Sequence, residues 1–323
     1  MGAIFDYIAQ ILSILIRPIY GVVNNYGWTI IIVTVIIKLL TLPFTIKSQK
    51  SMAKMQQVQP LISEIQKKYA KNNEKMQAEM MKIYDKYDIS PTGGCMPLVV
   101  QMVILMGFIQ VVYKPLTFIL GVSKSKIAEV ATALDIPAAD YAANQLNIFS
   151  KHADKLPEFL EKINIDPSSL NFDFLGIDLT KVLKDNLTNP VLWILPLLAL
   201  AFSILSTYVS QKQATSRQNP NAKDDAQAAQ AQAMTKSMYI MMPLMTIWIT
   251  FSWPLGCALY WTISTVTQIA QQLFINKFIV DKMEPIDLTQ KKRKKKHVPS
   301  KKELEIREDF GDVPDNDTEE GEN

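Results

Sequence analysis

The stretch TIIIVTVIIKLL, residues 29–40, decides the fold, because it is almost wholly apolar and carries a single charge, Lys38. With its flanks from Tyr26 to Phe44 it approaches the roughly 20 apolar residues that a helix needs to cross a bilayer. Its β-branched residues do not favour a strand, since backbone that faces lipid must satisfy its own hydrogen bonds. We therefore predict a membrane-spanning helix over residues 26–44.

Four further stretches share this character, and together they predict an all-α polytopic membrane protein. In chain order the five predicted transmembrane helices are residues 26–44, 97–120, 190–209, 237–253 and 255–275. Trp253-Pro254 joins the last two as a tight turn. The content of 48% hydrophobic and 20% charged residues is ordinary for a soluble protein, but the charges gather between these stretches.

The distribution of basic residues predicts the direction of the chain across a bacterial plasma membrane. Lysine-rich segments follow the first and the fifth spans, and a short basic segment follows the third. Basic loops stay on the cytoplasmic side, whereas the loop 121–189 contains more acids than lysines. We expect the N-terminus outside and the C-terminus in the cytoplasm. The strongest basic run is Lys291, Lys292, Arg293, Lys294, Lys295 and Lys296.

The segments outside the spans have separate predictions. Residues 1–25 are read as an amphipathic interfacial helix on the outer face, with a sixth span or a signal peptide as alternatives. Residues 45–96 form a cytoplasmic helical hairpin, 121–189 an extracytoplasmic loop, 210–236 a cytoplasmic loop, and 276–323 a basic and then acidic cytoplasmic tail. Within the outer loop we predict short helices near 126–134 and 156–163, and a buried or interfacial turn over 172–178.

Methionines mark the two helices of the predicted hairpin. Met52 and Met55 begin one apolar stripe at helical spacing, Met76 and Met80 begin a second, and Asn72-Asn73 is the predicted turn. Methionine surfaces adapt to varied apolar segments, so these residues are candidates for capturing substrate. The alternative is that they only pack the hairpin.

Lys38 is the candidate functional residue within the spans. A lysine at the centre of a span costs about 2.5–3.5 kcal/mol on insertion scales. At 1.5 Å per residue, Lys38 lies about 9 Å from the inner boundary predicted at Phe44. Its amine could reach the headgroups by lying along the helix, or it could face a hydrated cavity.

Other polar side chains recur in the cytoplasmic halves of the spans, and they favour the cavity. They are Gln101, Ser203, Ser206, Thr207, Thr265 and Gln268, with Tyr260 and Trp261 nearer the outer half. With Lys38 they predict a hydrophilic groove that opens to the cytoplasm and stops partway. The alternative is a closed bundle in which these side chains hydrogen-bond between helices.

The sequence lacks the residues that several classes of function need. The two cysteines, Cys95 and Cys257, fall at opposite ends of predicted spans, so a disulfide between them is excluded. The sequence has no Cys/His ligand cluster, no phosphate-binding glycine loop and no Ser/His/Asp set. We therefore expect no metal, no cofactor and no enzymatic activity.

Several motifs resemble those of the YidC/Oxa/Alb membrane protein insertases. The residues that carry the resemblance are SMAKMQQVQP at 51–60, PTGGCMP at 91–97, Gln101, LYW at 259–261 and the pair Gln271-Gln272. The resemblance covers about 26–120 and 190–276. The five-span plan, without a large outer domain, is similar to the Gram-positive type.

The resemblance implies five helices around a hydrophilic groove, with Lys38 at its base, where many members have arginine. It implies insertion and folding of nascent membrane proteins, alone or with the Sec translocon, without nucleotide hydrolysis. We expect a monomer in contact with membrane lipids. The basic run 291–296 could dock on the ribosome or lie against anionic lipids. The alternative function is a small-anion transporter or channel with Lys38 as the binding charge, which predicts polar residues in the outer half or an inverted repeat.

Overall fold

The computed structural model describes residues 2–90, 93, 96–216, 241 and 243–286, and in these ranges the chain is mostly helical. The helices are α1 (Gly2–Val23), α2 (Tyr26–Leu40), α3 (Leu42–Lys68), α4 (Asn73–Tyr87), α5 (Met96–Tyr113), α6 (Pro115–Phe118), α7 (Lys124–Ala133), α8 (Leu146–Lys151), α9 (Leu156–Lys162), α10 (Ile194–Ser216), α11 (Pro243–Ser252) and α12 (Leu255–Ile275). Short 3₁₀ turns cover Ala138–Asp140, Pro167–Ser169, Leu183–Asp185 and Pro190–Trp193, and a π-helical turn, Asn276–Val280, follows α12. Strands β1 (Asp173–Phe174) and β2 (Ile177–Asp178) form an antiparallel hairpin.

Two of the described helical segments, Ile4–Val23 and Pro190–Gln213, are each long and apolar enough to cross a membrane. The pair α2 and α3 also meets this criterion when taken together, with a bend of 56° between them. Val99–Tyr113 and Pro243–Ser252 are apolar but shorter. The helical architecture fits an all-α membrane protein, while the count of five spans stays a prediction.

Outward-facing apolar side chains support the membrane assignment. They lie along α10 at Ile194, Leu197, Leu198, Ile204, Leu205 and Tyr208, and along α11 at Leu244, Ile247, Trp248 and Phe251. Monomeric soluble proteins rarely expose contiguous apolar patches larger than a few hundred Å². These two helices therefore present surfaces suited to lipid.

The helix ends differ from the predicted spans at two prolines. The first span was predicted to reach Phe44, but α2 ends at Leu40 and the chain bends before α3, which has Pro43 in its first turn. The second was predicted to reach Leu120, but α5 ends at Tyr113, because Pro115 disfavours helical geometry at Lys114. By contrast, α12 occupies the predicted residues 255–275.

Helix α1 makes polar contacts with α6 and the residue before it, Lys114, from positions 11 residues apart. Asp6 pairs with the buried amine of Lys114 at 2.9 Å, while Arg17 donates to the carbonyl of Phe118 at 3.1 Å. These positions are about 16 Å apart along the helix. Tyr20 adds a bond to the carbonyl of Ser169 at 2.7 Å. These contacts attach α1 to residues 114–118 and to Ser169, while its position relative to the membrane stays a prediction.

The segment 121–189, predicted to be the outer loop, contributes to a small hydrophobic core of its own. The predicted short helices are present as α7 and α9. Their apolar faces pack with Leu116 and α8, and the buried residues are Leu116, Ile127, Val130, Ala131, Leu134, Ile136, Ile148, Phe159, Leu160 and Ile163. We call this the outer subdomain.

Candidate functional site

The candidate site begins on α2, where Lys38 lies in the last turn. Its Nζ donates a hydrogen bond to Oε1 of Gln101 on α5 at 2.8 Å. The Nε2 of Gln101 donates to Oη of Tyr260 on α12 at 2.7 Å, and Oγ of Ser264 donates to Oε1 at 3.3 Å. Gln101 therefore connects the lysine of one helix to the hydroxyls of another.

Helix α12 holds the other side of this network. The ring of Tyr260 stacks on Phe108 of α5 with centroids 4.2 Å apart, which fixes the hydroxyl against Gln101. Gln271, which follows Gln268 by one helical turn and Ser264 by two, donates to the backbone carbonyl of Lys38 at 2.7 Å. The lysine is thus held at both its side chain and its backbone.

A second network joins α10, α11 and α12. The indole Nε1 of Trp261 donates to Oγ1 of Thr246 at 3.1 Å, and that hydroxyl donates to Oγ of Ser203 at 3.1 Å. Both hydroxyl residues are buried. Buried polar groups of this kind cost free energy unless they are paired, so the two bonds fix the relative positions of the three helices.

The two networks border one cavity of about 480 Å³. Its lining comprises Thr34, Ile37, Lys38, Thr41, Phe44, Thr45, Gln49, Met52, Gln56, Pro97, Val100, Gln101, Ile104, Ser203, Ser206, Thr207, Ser210, Gln213, Tyr260, Trp261, Ser264, Thr265, Gln268, Gln271 and Gln272. Lys38 is the one charged side chain among these lining residues. We call this cavity the groove.

One end of the groove is closed by packing. The first residues of α12, 255–259, are fully buried, and the backbone N–H of Gly256 donates to the carbonyl of Leu179 at 2.9 Å. Tyr26 packs directly on Gly256, where an added Cβ would lie 3.1 Å from the tyrosine ring. Polar lining residues therefore begin only at Tyr260 on this helix.

All nine residues predicted for the groove line this one cavity, together with Met52 of the hairpin. The other predicted hairpin methionines are elsewhere. Met55 and Met80 pack with Val58 and Ile62 inside the hairpin, and Met76 is partly exposed on α4. Among the four, only Met52 lies where it could meet a segment bound in the groove.

Two further predictions have different outcomes. Asn72 accepts a bond from the backbone N–H of Lys75 at 3.0 Å and so caps α4, as expected for a residue at the hairpin turn. The basic run Lys291–Lys296, predicted to contact ribosome or lipid, lies outside the described residues. Among the described residues there is no cluster of three or more His, Cys, Asp or Glu that could hold a metal ion.

Sequence reasoning missed a polar stripe that crosses the bend between α2 and α3. Thr34, Lys38, Thr41, Thr45, Gln49, Met52 and Gln56 are spaced by three or four residues, and all line the groove. Residues at this spacing share one face of a helix. The period was readable from the sequence, although the division into a span and a separate hairpin concealed it.

Comparison with known proteins shows a match over most of the chain. A family model described as the 60Kd inner membrane protein matches residues 18–282. A protein of Fusobacterium nucleatum named membrane protein insertase YidC is 28% identical over 277 residues, which are 86% of this chain and 98% of the relative. Proteins of the same name from Pelobacter propionicus and Wolinella succinogenes are 28% and 26% identical over 86% and 84% of this chain. This chain spans only 40% and 37% of those two longer relatives.

Proposed function

Because the chain belongs to the YidC/Oxa/Alb family, matched by the 60Kd inner membrane protein model, we propose that it inserts membrane proteins into the bacterial plasma membrane. The observation that carries the proposal is the bond between Lys38 and Gln101 inside a groove that is closed by packing at one end. In this proposal a single positive charge would lie within the span region, beside a polar path of limited length.

We propose that the groove opens to the cytoplasm and admits water. The basic segments 45–96 and 291–296 support this direction, because basic loops remain cytoplasmic. Hydrated hydroxyl and amide groups along the groove lower the cost of holding Lys38 charged. A polar substrate flank that enters the groove then crosses a shorter apolar layer before it reaches the outer side.

Lys38 would favour substrates whose translocated flank is acidic. A pair of opposite charges about 8 Å apart at an effective dielectric constant of about 20 interacts by ~2 kcal/mol. The flexible amine can follow the substrate without the fixed fork of an arginine. None of the described residues that line the groove is an Asp or Glu, so none of them would compete with the substrate for Lys38.

The apolar part of the substrate would leave sideways into lipid. Helix α10 contributes Ser203, Ser206 and Thr207 to the groove and exposes Leu197 and Leu205 on its outer surface. A segment at its edge could therefore slide from a polar to an apolar environment. Partitioning of about 20 apolar residues into lipid supplies the driving force, so the proposal includes no nucleotide hydrolysis and no catalytic step.

Partners follow from the same arrangement. Nascent membrane proteins would meet the hairpin first, with Met52 at the entrance to the groove. We propose a monomer that works alone or beside the Sec translocon, with the basic run 291–296 against the ribosome or anionic lipid. The N-terminal helix α1 would lie on the outer face, as its contacts from Asp6 and Arg17 favour.

Depletion rescue tests this function. Cells depleted of their own insertase would receive the wild-type chain or the variants Lys38→Ala, Lys38→Glu and Lys38→Arg, and insertion of a single-span substrate with an acidic flank would be scored. We expect Lys38→Glu to lower insertion on the order of tenfold, about 1.4 kcal/mol, Lys38→Ala to lower it less, and Lys38→Arg to retain it. Normal insertion by both the alanine and glutamate variants would exclude the role of the charge. Anion uptake by reconstituted liposomes would favour a transporter instead.

A further inference from the structure

The β1–β2 hairpin in the outer loop has a tip that conflicts with its local geometry. Leu175 and Gly176 are its two turn residues, with φ of 55° and 80°. Turns in which both central residues have positive φ prefer Asn, Asp or Gly at the first position. A leucine there places its Cβ against the following carbonyl, so the backbone is strained at Leu175.

The side chain of Leu175 is also unusually exposed. It is 77% accessible, whereas the neighbouring Phe174 and Ile177 are buried. The turn therefore presents one large apolar side chain outward from a well-packed base. Backbone strain of this kind persists where surrounding structure enforces it, and it is concentrated at functional positions.

The base of the hairpin is fixed at the outer end of α2. Phe174 packs so closely on Gly27 that a Cβ at that glycine would lie 2.2 Å from its ring. The ring of Phe174 meets that of Trp28 edge-on, with centroids 5.4 Å apart. Asn25 adds a bond from its Nδ2 to the carbonyl of Asp173 at 2.8 Å.

The same segment is attached to the start of α12. The backbone N–H of Leu255 donates to the carbonyl of Lys181 at 2.9 Å, and Val182 forms a bridge with Pro254. The position of the tip is therefore set by two helices at once. A mobile loop would let Leu175 turn inward, but this anchored hairpin holds it outward.

Tryptophans at neighbouring helix ends indicate which surface lies beside the tip. Trp28 lies in the first turn of α2 and is half exposed, while Trp193 and Trp253 lie just before α10 and α12. Tryptophan is enriched where a membrane helix passes the interface between lipid and water. Because the ring of Phe174 contacts that of Trp28 edge-on, the next residue, Leu175, is held at the level of Trp28.

We propose that the β1–β2 hairpin is a lipid anchor of the outer loop, with Leu175 inserted into the outer leaflet beside Trp28. The occupant is the acyl boundary of the membrane, since the half-exposed Trp28 contacts Phe174, the residue next to the exposed Leu175. The anchor would hold segment 171–182 against the bilayer and so keep the outer ends of α2 and α12 together. This inference depends on the membrane position of α2 and not on the insertase activity.

Fluorescence quenching tests the depth of the tip. The full chain, with Cys95→Ser and Cys257→Ser, would carry an environment-sensitive dye at Leu175→Cys and be reconstituted in phosphatidylglycerol and phosphatidylethanolamine vesicles. Leu197→Cys on exposed α10 and Ala139→Cys in the outer subdomain are the controls for lipid and water. We expect quenching at residue 175 by lipids with a nitroxide near the headgroup, and weak quenching by aqueous iodide. Iodide quenching equal to that at residue 139 would overturn the proposal.

A second variant separates anchoring from folding of the hairpin. Leu175→Asn suits the turn geometry better and removes the apolar side chain. We expect unchanged or higher thermal stability in detergent, and several-fold faster amide exchange of segment 171–182 in vesicles. Unchanged exchange in vesicles would contradict a lipid anchor. High-yield photocrosslinking from residue 175 to another protein in native membranes, without lipid adducts, would show a protein surface instead and would also overturn the proposal.

Discussion

The Nζ of Lys38 lies 2.8 Å from Oε1 of Gln101, so a charge on α2 is held by an amide on α5. The amide also donates to Oη of Tyr260, which makes it the connection between three helices. Removal of Gln101 therefore affects both the position of the charge and the packing of α12.

Replacement of Gln101 tests whether the position of the charge matters. In Gln101→Leu the amine of Lys38 and the hydroxyl of Tyr260 both lose a partner, so we expect insertion of an acidic-flank substrate to fall several-fold. In Tyr260→Phe the bond between Lys38 and Gln101 remains, so we expect near-normal insertion and a stability loss of about 1 kcal/mol. Insertion rates in vesicles and thermal unfolding in detergent measure the two effects. Normal insertion by folded Gln101→Leu would show that the bond is incidental.

The bridge from Trp261 through Thr246 to Ser203 predicts a stability effect. Thr246→Val removes a hydroxyl that serves two neighbours, and interhelical hydrogen bonds in membranes average about 0.6 kcal/mol each. We expect a loss of about 1 kcal/mol in the free energy of unfolding. The control is Thr262→Val, because Thr262 is equally buried but bonds only to the carbonyl of Ala258 in its own helix. Equal destabilisation by the two variants would contradict a role for the bridge.

The outer subdomain is expected to be independent of the groove. Phe159 is fully buried there, so Phe159→Ala should cost about 3–5 kcal/mol of local stability. Hydrogen exchange should rise across residues 116–165 and stay unchanged in α12. Glu161→Ala, on an exposed position of the same helix, is the matched control. We expect insertion to continue with either variant, and a loss of insertion with Phe159→Ala would link the subdomain to function.

Acid should loosen the same subdomain through Asp140. Lys151 Nζ at 2.6 Å, together with the ring of His152, lowers the pKa of the Asp140 carboxyl from its ordinary value of 3.8. A lowered folded pKa means that the ion pair stabilises above the unfolded pKa and is lost as pH falls through the folded pKa. We expect pepsin to cut residues 138–152 faster as pH falls below about 4. In Asp140→Asn this part of the pH dependence of cleavage should disappear. The same pH profile in Asp140→Asn and in the wild-type chain would contradict a stabilising role for this ion pair.

The extent of α12 was predictable because its signals are local. Pro254 immediately precedes its first residue and, without a backbone N–H, interrupts any helix that comes before it, and an apolar run follows with polar residues on one face. That the nine predicted residues line one cavity has a similar reason, since a buried polar side chain needs a polar neighbour. Their role toward a substrate stays a prediction.

Other features depend on contacts between distant segments and were not predictable. Thr246 resembles any threonine in a short apolar helix until Trp261 and Ser203 are placed beside it. The strands at Phe174 and Ile177 are two residues long, too short for an alternating pattern, and they exist because Gly27 leaves room for the Phe174 ring. The end of α5 at Tyr113 is different, because Pro115 was a visible signal in the sequence for a break at Lys114, although the second span was predicted to continue to Leu120.

The most direct test of the groove charge is a charge exchange between Lys38 and its substrate. Purified wild-type chain and Lys38→Glu would be reconstituted in vesicles and given three single-span substrates that differ only in an acidic, neutral or basic flank. We predict that the wild-type chain inserts the acidic flank faster than the basic one, that Lys38→Glu reverses this order, and that the neutral flank changes least. The same order of insertion for both proteins would contradict the account.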